Sequence, residues 1–327
     1  MNTSLPKVSV VIPTYNRAQF IVRALESVFA QTYKNYEIIV IDDGSTDDTP
    51  QVMKQFDGRL NYIRKENGGS ASACNRGIAE SKGEYIAFLD SDDYWTPEKL
   101  AEQVKVLDSQ PKVGIVYSRM PIINEKGERL GTKPAGISGK NFKELLEVWG
   151  DLPTSTVMTR RACFDKAGFF DPALKTMQDI DMWLRIARFY DLYEIEGKVL
   201  AYYFRHSEQI TTSRINVYEG LVKIYQKILK TFEDAPRELF VNRIAMNRYT
   251  LSREYYLEKF YYESFRNVVA VIFYKPLVGM LFFEKGDGLF KKALKLVKPY
   301  VFLVVSFFTL AAQGAVNLFK RPKNISG

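Results

Sequence analysis

Cysteine and histidine are scarce in this chain, whose 327 residues include two cysteines and a single histidine. Cys74 and Cys163 are too few for the disulfide framework of a small secreted domain, so we expect a reducing, cytosolic compartment. No G-x-G-x-x-G motif follows the first apolar run, which disfavours a Rossmann dehydrogenase. We expect no signal peptide either, because residues 1–7 are polar and the first apolar run is a short strand.

Basic residues are concentrated in the last third of the chain. Residues 1–206 contain 27 Lys and Arg against 28 Asp and Glu, whereas residues 207–327 contain 19 against 10. The length suffices for one large α/β domain with a substantial appendage. We therefore predict a nearly neutral domain over residues 1–206 and a basic, helical region over residues 207–327.

Short apolar runs rich in β-branched and aromatic residues alternate with helical patterns near the amino terminus. The spacing between the runs suits βαβ crossovers, which join parallel strands. The pattern predicts an α/β domain in which helices flank a mostly parallel central sheet. The predicted strands are residues 8–12, 36–41, 60–63 and 85–89.

Two acidic clusters follow two of these predicted strands. Asp42, Asp43 and Asp47 come after the second strand, and the sequence DSDD at residues 90–93 comes after the fourth. Open α/β sheets bind ligands at the carboxyl ends of their strands, where both clusters are expected. Carboxylates crowded there repel one another, and a divalent cation with a phosphate-bearing ligand would offset that repulsion. A solvated acidic turn is the alternative.

A glycine pair lies between the two acidic clusters. Gly68 and Gly69 come directly before Ser70, which we expect to be the N-cap of a helix that extends to about Ser81. The glycines would let backbone amides approach an anion at the N-terminus of this helix. A simple turn is the alternative interpretation.

Taken together and in order, these motifs resemble glycosyltransferase family 2, whose members have the GT-A fold. The similarity extends over about the first 205 residues and leaves the tail uncovered. It implies an inverting enzyme that moves a sugar from a nucleotide-diphosphate sugar to an acceptor hydroxyl. The resembling segments are VSVVIPTYN at 8–16, DDGSTD at 42–47, NGG at 67–69 with NRG at 75–77, DSDD at 90–93 and QDIDMWLR at 178–185.

The resemblance implies a nucleotide site in the first domain. Asp43 would accept a hydrogen bond from a ring N–H of uracil or guanine, while Pro13 and Tyr15 would line the base and ribose. Asp90 would contact the ribose, and Gly69 would contribute to donor binding through its backbone. A cap on the following helix is the alternative role for Asp43.

The resemblance also implies a divalent ion, Mg²⁺ or Mn²⁺. In the family's Asp-X-Asp signature, Asp92 would bind the ion, which bridges the diphosphate oxygens and neutralises the leaving group. His206 would be a further ligand, since neutral imidazole suits Mn²⁺. The alternatives are a supporting role in the loop for Asp93 and, for His206, that of a surface histidine or of one whose hydrogen bonds are satisfied within the protein.

Asp179 resembles the family's catalytic base, which takes the proton from the attacking acceptor hydroxyl. Asp181, two residues later, could also reach the substrate if both residues open a helix whose other face is buried. The family usually has Glu immediately before the base, but here Gln178 is neutral. A helix with an acidic first turn is the alternative interpretation.

The tail contains two apolar segments, residues 267–283 and 299–319. Lys275 and Pro276 interrupt the first, which favours a packed or interfacial helix. The second has 21 residues without a charge and lysines on both sides, and about 20 apolar residues match a hydrocarbon core. We predict attachment to the cytoplasmic face of an anionic membrane, peripheral or single-pass, rather than binding to nucleic acid.

These patterns lead to one predicted function and one alternative. We predict a glycosyltransferase of polysaccharide or glycolipid synthesis, acting on a saccharide or lipid-linked acceptor. The alternative is a non-catalytic nucleotide-sugar-binding or membrane scaffold protein, which the departures at Gln178 and Cys74 suggest. A sugar nucleotidyltransferase is disfavoured, because the chain has no amino-terminal glycine-rich loop with the Arg and Lys that such an enzyme needs.

Overall fold

The computed structural model describes residues 5–133, 142–148, 152–206, 209, 213–274, 298–307, 309 and 311. The chain separates into two compact units, Met1–Gln209 and Ile210–Gly327. The first unit contains the candidate site residues that the sequence predicts.

A parallel sheet forms the amino-terminal part of the first unit, with strand order β3-β2-β1-β4. Its strands are β1 (Val8–Thr14), β2 (Tyr36–Asp42), β3 (Asn61–Arg64) and β4 (Tyr85–Phe88). Thr14 pairs with Asp42, and Asp42 pairs with Arg64, so these three strands end at the same edge. The predicted parallel strands and their common edge are therefore confirmed.

Helices cover the faces of this sheet because apolar residues recur at helical spacing. They are α1 (Ile21–Phe29), α2 (Thr49–Met53) and α3 (Ser70–Glu80). The inner face of α1 consists of four fully buried residues, Ile21, Ala24, Leu25 and Val28. In α3, a Cβ on Gly77 would lie 2.3 Å from Cγ1 of Val11, so only glycine allows this helix to pack so closely against β1.

The other half of the sheet is mixed. β8 (Met158–Arg160) runs antiparallel to both β4 and the long β6 (Val113–Asn124), whereas β9 (Asp191–Val199) and β10 (Ala201–Arg205) run parallel to β6. The predicted mostly parallel sheet thus applies to the first four strands. The remaining elements of the unit are β5 (Tyr94–Trp95), β7 (Arg129–Lys133), α4 (Lys99–Ser109), α5 (Phe142–Val148), α6 (Ala162–Ala167) and α7 (Gln178–Ala187).

The second unit is helical in the part that the structure describes. It contains α8 (Arg214–Thr231), α9 (Arg237–Leu257), α10 (Tyr261–Tyr274) and a helical segment over residues 298–307. Buried Tyr249 and Val268 belong to a small apolar core against which Phe302 packs. Packing between helices thus accounts for the buried position of Tyr249.

The membrane prediction depends on the two apolar segments, which are only partly described. Residues 267–274 lie in α10, residues 275–283 lie outside the described residues, and so does most of residues 308–319. Among the helices that can be described, none is long and apolar enough to cross a membrane.

Candidate active site

The first acidic loop begins at the end of β2, and its carboxylates are bound by groups of the protein itself. Asp42 is fully buried and accepts hydrogen bonds from the Ser45 backbone N–H at 2.7 Å and the Tyr62 hydroxyl at 2.5 Å. Asp47 accepts from the N–H groups of Ala18 and Thr49. These bonds stabilise the loop in one conformation.

Asp43 holds the glycine turn. One of its oxygens lies 2.5 Å from Lys65 Nζ and 3.0 Å from the Gly68 nitrogen, and the other accepts from the Gly69 N–H at 2.7 Å. The anion at the two glycine amides is therefore Asp43, and contact between Gly69 and a ligand stays a prediction. The alternative role of Asp43 as a cap on α2 is wrong, because Asp47 binds the first N–H of that helix.

The start of α3 differs by one residue from the sequence prediction. Ser70 is the first helical residue, and the N-cap is Gly69, with φ of +84°. L-residues with a Cβ rarely adopt such a backbone conformation, so glycine is required where the turn enters the helix.

A surface pocket opens beside Asp43. Pro13 is buried in β1 and pairs with Ile41, and Tyr15 follows that strand with 44% of its surface exposed. Sequence analysis did not single out Arg64 and Lys65, although two basic residues at the end of a predicted strand were a usable signal. The pocket is lined by Gly44, Arg64, Lys65, Glu66 and Asn67.

The second acidic loop follows β4, and neighbouring groups neutralise its carboxylates less completely. Burial is the main reason that the pKa of Asp90 is raised to about 7, and repulsion from Asp92 is the next. Burial and the charges of Asp92 and Asp90 also raise the pKa of Asp93 well above its ordinary value. Asp93 supports the loop, since it accepts from the Ser155 hydroxyl at 2.6 Å and from the Phe204 N–H at 3.1 Å.

Asp92 and His206 lie together although 113 residues separate them in the chain. His206 Nε2 is 3.0 Å from Asp92 Oδ2, and the His206 ring stacks on Phe20 with centroids 4.1 Å apart. His206 is 6% exposed, so the surface alternative is wrong, while its contact with Asp92 is also what a satisfied buried histidine would make. Arg17 Nε lies 3.4 Å from the same carboxylate oxygen, and Arg23 donates to the Asp92 carbonyl at 2.9 Å.

A carboxylate and an imidazole are suitable ligands for Mn²⁺, so the chemistry of this pair fits the predicted ion. Within the described ranges, however, no group of three or more His, Cys, Asp or Glu side chains is arranged to hold a metal. Asp92 and His206 would therefore supply part of a ligand set, and the donor diphosphate and water would have to complete it.

Asp179 lies in the first turn of α7, as the sequence predicts. The preceding Met177 has φ of +61° and ψ of +18°, a left-handed conformation that costs a non-glycine residue about 1–2 kcal/mol. One Asp179 oxygen accepts from the Thr154 hydroxyl at 3.1 Å, and the other accepts from the Ile180 N–H at 2.9 Å. The carboxylate is thus oriented by two donors.

Asp181 lies in a different environment on the same helix. It is 3% exposed, and its carboxylate accepts from two guanidinium nitrogens of Arg185, at 2.8 and 3.0 Å. Another Arg185 contact goes to the Phe169 carbonyl. This arrangement stabilises α7 and the preceding loop, and the predicted contact of Asp181 with a substrate stays a prediction.

The two departures from the family pattern lie close to these acids. The amide nitrogen of Gln178 is 3.4 Å from Ser70 Oγ, while its buried Oε1 has no hydrogen-bond partner in the described part of the chain. Burial raises the pKa of the Cys74 thiol, and the charges of Asp90 and Asp179 add to the effect. Cys74 is therefore a neutral group near both carboxylates.

Comparison with known proteins agrees with this geometry. The model of the family described as glycosyl transferase family 2 matches residues 9–178. The chain belongs to glycosyltransferase family 2. An uncharacterized glycosyltransferase of Rickettsia typhi is 35% identical over 237 residues, covering 70% of this chain and 73% of the relative. A putative colanic acid biosynthesis glycosyl transferase of Escherichia coli, WcaA, is 28% identical and covers 71% of this chain and 85% of its own.

Solved structures of other proteins share the fold. Staphylococcus aureus TarS 1–349 in complex with UDP-GlcNAc matches with a TM-score of 0.63 and 20% identity, covering 98% of this chain and 95% of that 1–349 chain. The mannosyltransferase PcManGT from Pyrobaculum calidifontis, in complex with GDP-Man and Mn²⁺, matches with a TM-score of 0.55 and 19% identity, covering 98% and 89%. At these identities the similarity establishes the GT-A-like α/β fold of this family 2 chain.

Proposed function

We propose that this family 2 protein is an inverting glycosyltransferase that moves a sugar from a nucleotide-diphosphate sugar to an acceptor hydroxyl in polysaccharide or glycolipid synthesis. The observation that carries the proposal is the clustering of acids from distant segments. Asp92 and Asp179 both act electrostatically on Asp90, although Asp90 and Asp179 are 89 positions apart in the chain. The E. coli relative is named for colanic acid biosynthesis, and the TarS structure contains UDP-GlcNAc, which supports the same class of reaction.

In this proposal, the two acidic loops have different tasks in binding the donor. The nucleotide base would lie in the pocket beside Asp43, with Pro13 and Tyr15 along the base and ribose. Asp90 would contact the ribose. Asp92 and His206 would hold Mg²⁺ or Mn²⁺, and the ion, when bound, neutralises charge on the departing diphosphate.

Asp179 would take the proton from the acceptor hydroxyl while that oxygen attacks the anomeric carbon. The new bond joins the acceptor oxygen to the anomeric carbon, the bond from this carbon to the diphosphate oxygen breaks, and the proton moves to the carboxylate. Attack from the face opposite the leaving group inverts the anomeric configuration. The orientation of Asp179 by Thr154 and Ile180 suits this task, because a base must be held within hydrogen-bond reach of the proton.

The decisive experiment measures donor turnover by Asp179→Asn across a panel of nucleotide sugars and acceptors. We expect transfer to fall by on the order of 10²–10⁴, with donor affinity retained, because asparagine keeps the shape and removes the base. Asp165→Asn is a matched control, since Asp165 is an exposed acid on the neighbouring α6. Equal turnover by Asp179→Asn and the parent would contradict the assignment, while donor binding without any turnover by the parent would favour the scaffold alternative.

We also propose that the tail attaches the enzyme to the cytoplasmic face of an anionic membrane. Support comes from the excess of basic residues over 207–327 and from exposed apolar side chains on the helical segment 298–307. These side chains are Val301, Val304, Val305 and Phe307. An inserted helix should stay in membranes washed with high salt, and a purely electrostatic attachment should not. A full-length protein that is monodisperse without lipid or detergent would contradict the proposal.

A further inference from the structure

A short 3₁₀ turn, Thr154–Thr156, connects the two acidic parts of the candidate site. Thr154 lies next to α7, and its hydroxyl donates to Asp179 Oδ2 at 3.1 Å. Ser155, the next residue, donates to Asp93 Oδ2 at 2.6 Å and accepts from the Asp90 N–H at 3.1 Å. Two adjacent hydroxyls thus bind acids that come from distant segments of the chain.

The turn is itself held by buried donors. Trp95 Nε1 donates to the Ser155 carbonyl at 2.7 Å, and Gln103 Nε2 donates to the Thr156 carbonyl, also at 2.7 Å. Gln103 in turn accepts from Lys99 Nζ at 2.6 Å, and both of these side chains are fully buried. Because buried hydrogen bonds are expensive to break, the backbone of the turn is a rigid support for its hydroxyls.

The hydrogen bond from Thr154 to Asp179 therefore does more than supply the carboxylate with a donor. A hydroxyl on a rigid support fixes the direction in which the Asp179 oxygens point, while Ser155 holds the loop 90–93 to the same support. Asp179 lies in the first turn of α7, and its carboxylate reaches the Thr154 hydroxyl with the helix in its observed position.

We propose that Thr154 is a positioning residue, whose hydroxyl fixes the Asp179 carboxylate relative to the acidic loop of residues 90–93. This inference rests on the proposed function, in which Asp179 is the base. The Thr154 hydroxyl donates to the proposed base, so its contribution should appear in the transfer step and not in donor binding.

The test compares Thr154→Val, Thr154→Ser and Asp179→Asn in the full-length protein, with kcat and donor affinity measured separately. We expect Thr154→Val to lower kcat roughly 10- to 100-fold, the usual contribution of a hydrogen bond to a charged group, with donor affinity changed less than about twofold. Thr154→Ser retains the hydroxyl and should recover most of kcat. Thr159→Val is the matched control, because buried Thr159 donates to the Gly114 carbonyl at 2.8 Å instead of to a carboxylate.

A double-mutant cycle separates positioning from a structural role. In the Asp179→Asn background, Thr154→Val should reduce the residual kcat by less than about twofold, because the hydroxyl acts through the carboxylate. An equal loss in both backgrounds, or a loss that serine does not recover, would overturn the inference. Loss of transfer in Asp179→Asn with full activity in Thr154→Val would refute this inference alone, whereas full activity in Asp179→Asn would refute the proposed base.

Discussion

The loop after β2 and the loop after β4 both follow buried parallel strands and both carry several carboxylates, yet their charges are handled differently. In the first loop, Asp43 accepts from Lys65 and two backbone amides. In the second, burial and then the charge of Asp92 raise the pKa of Asp90 to about 7, and burial with the charges of Asp92 and Asp90 raises the pKa of Asp93. Similar acidic motifs at the ends of parallel strands can therefore differ in how far neighbouring donors and cations neutralise their charge.

The largest expected effect is the loss of metal-dependent turnover in Asp92→Ala. Removal of the carboxylate that lies against His206 should reduce turnover by at least about 10²-fold, because a bound metal supplies several kcal/mol of charge stabilisation. EDTA should abolish turnover by the parent. Measurement of released nucleoside diphosphate with and without Mn²⁺ checks both results.

A fully active Asp92→Ala enzyme would contradict the assignment of the second loop as the cation site. Circular dichroism of the variant should match that of the parent, since a loss caused by unfolding would carry no information. His206→Ala should give a smaller loss that higher Mn²⁺ concentrations recover.

The second effect concerns stability and uses the same substitution in both loops. Asp43→Asn should lower the free energy of unfolding by about 1.5–3 kcal/mol, because the substitution replaces a charged acceptor that binds Lys65 and two amides. Asp90→Asn in the metal-free protein should leave this free energy unchanged or raise it at pH 8, because it removes repulsion with Asp92.

Denaturant titrations of Asp43→Asn and Asp90→Asn check these different changes in the free energy of unfolding. Asp57→Asn is the control, because Asp57 is an exposed acid. A similar loss of stability in both variants would mean that the two loops are equally compensated, and the comparison between them would fail.

The smallest effect is a pH dependence that comes from the second loop alone. The pKa of Asp90 is raised in the folded protein, so the folded state binds this proton more tightly than the unfolded state does. The contribution of Asp90 to the free energy of unfolding is therefore fully present below pH 4 and is lost as pH rises to about 7. Asp93 acts in the same direction.

The free energy of unfolding of the metal-free parent, minus that of Asp90→Asn, should therefore decrease between pH 5 and pH 8. Saturating Mn²⁺ should reduce the decrease, since a cation favours the ionised carboxylates. If this difference in free energy of unfolding increased with pH, ionised Asp90 would not be destabilising.

Local patterns predicted the strands and helices that carry the candidate site residues. The run of β-branched residues before Asp42 predicts β2, and the spacing of Trp183 and Ile186 predicts the buried face of α7. Both depend on near neighbours in the chain, and the structure confirms them. The N-cap of α3 was placed one residue too late, because the conformation of Gly69 depends on the Asp43 carboxylate that binds its amide.

Residues that act across the site were missed for a similar reason. Thr154 and Ser155 have no distinctive sequence pattern, and their importance arises from contacts with Asp179 and Asp93, which are 25 and 62 positions away. Arg17 and Lys65 were likewise not singled out, because their carboxylate partners lie in loops that follow other strands.

The sequence by itself determined the family, the parallel first half of the sheet and the positions of the acidic loops, because alternating apolar runs and short motifs are local features. Only the tertiary structure decided which carboxylates are compensated and which are not. It brought Lys65 to Asp43, His206 to Asp92 and Thr154 to Asp179. The charge state of a carboxyl group depends on its burial and on donors within a few ångströms, and chain folding sets both.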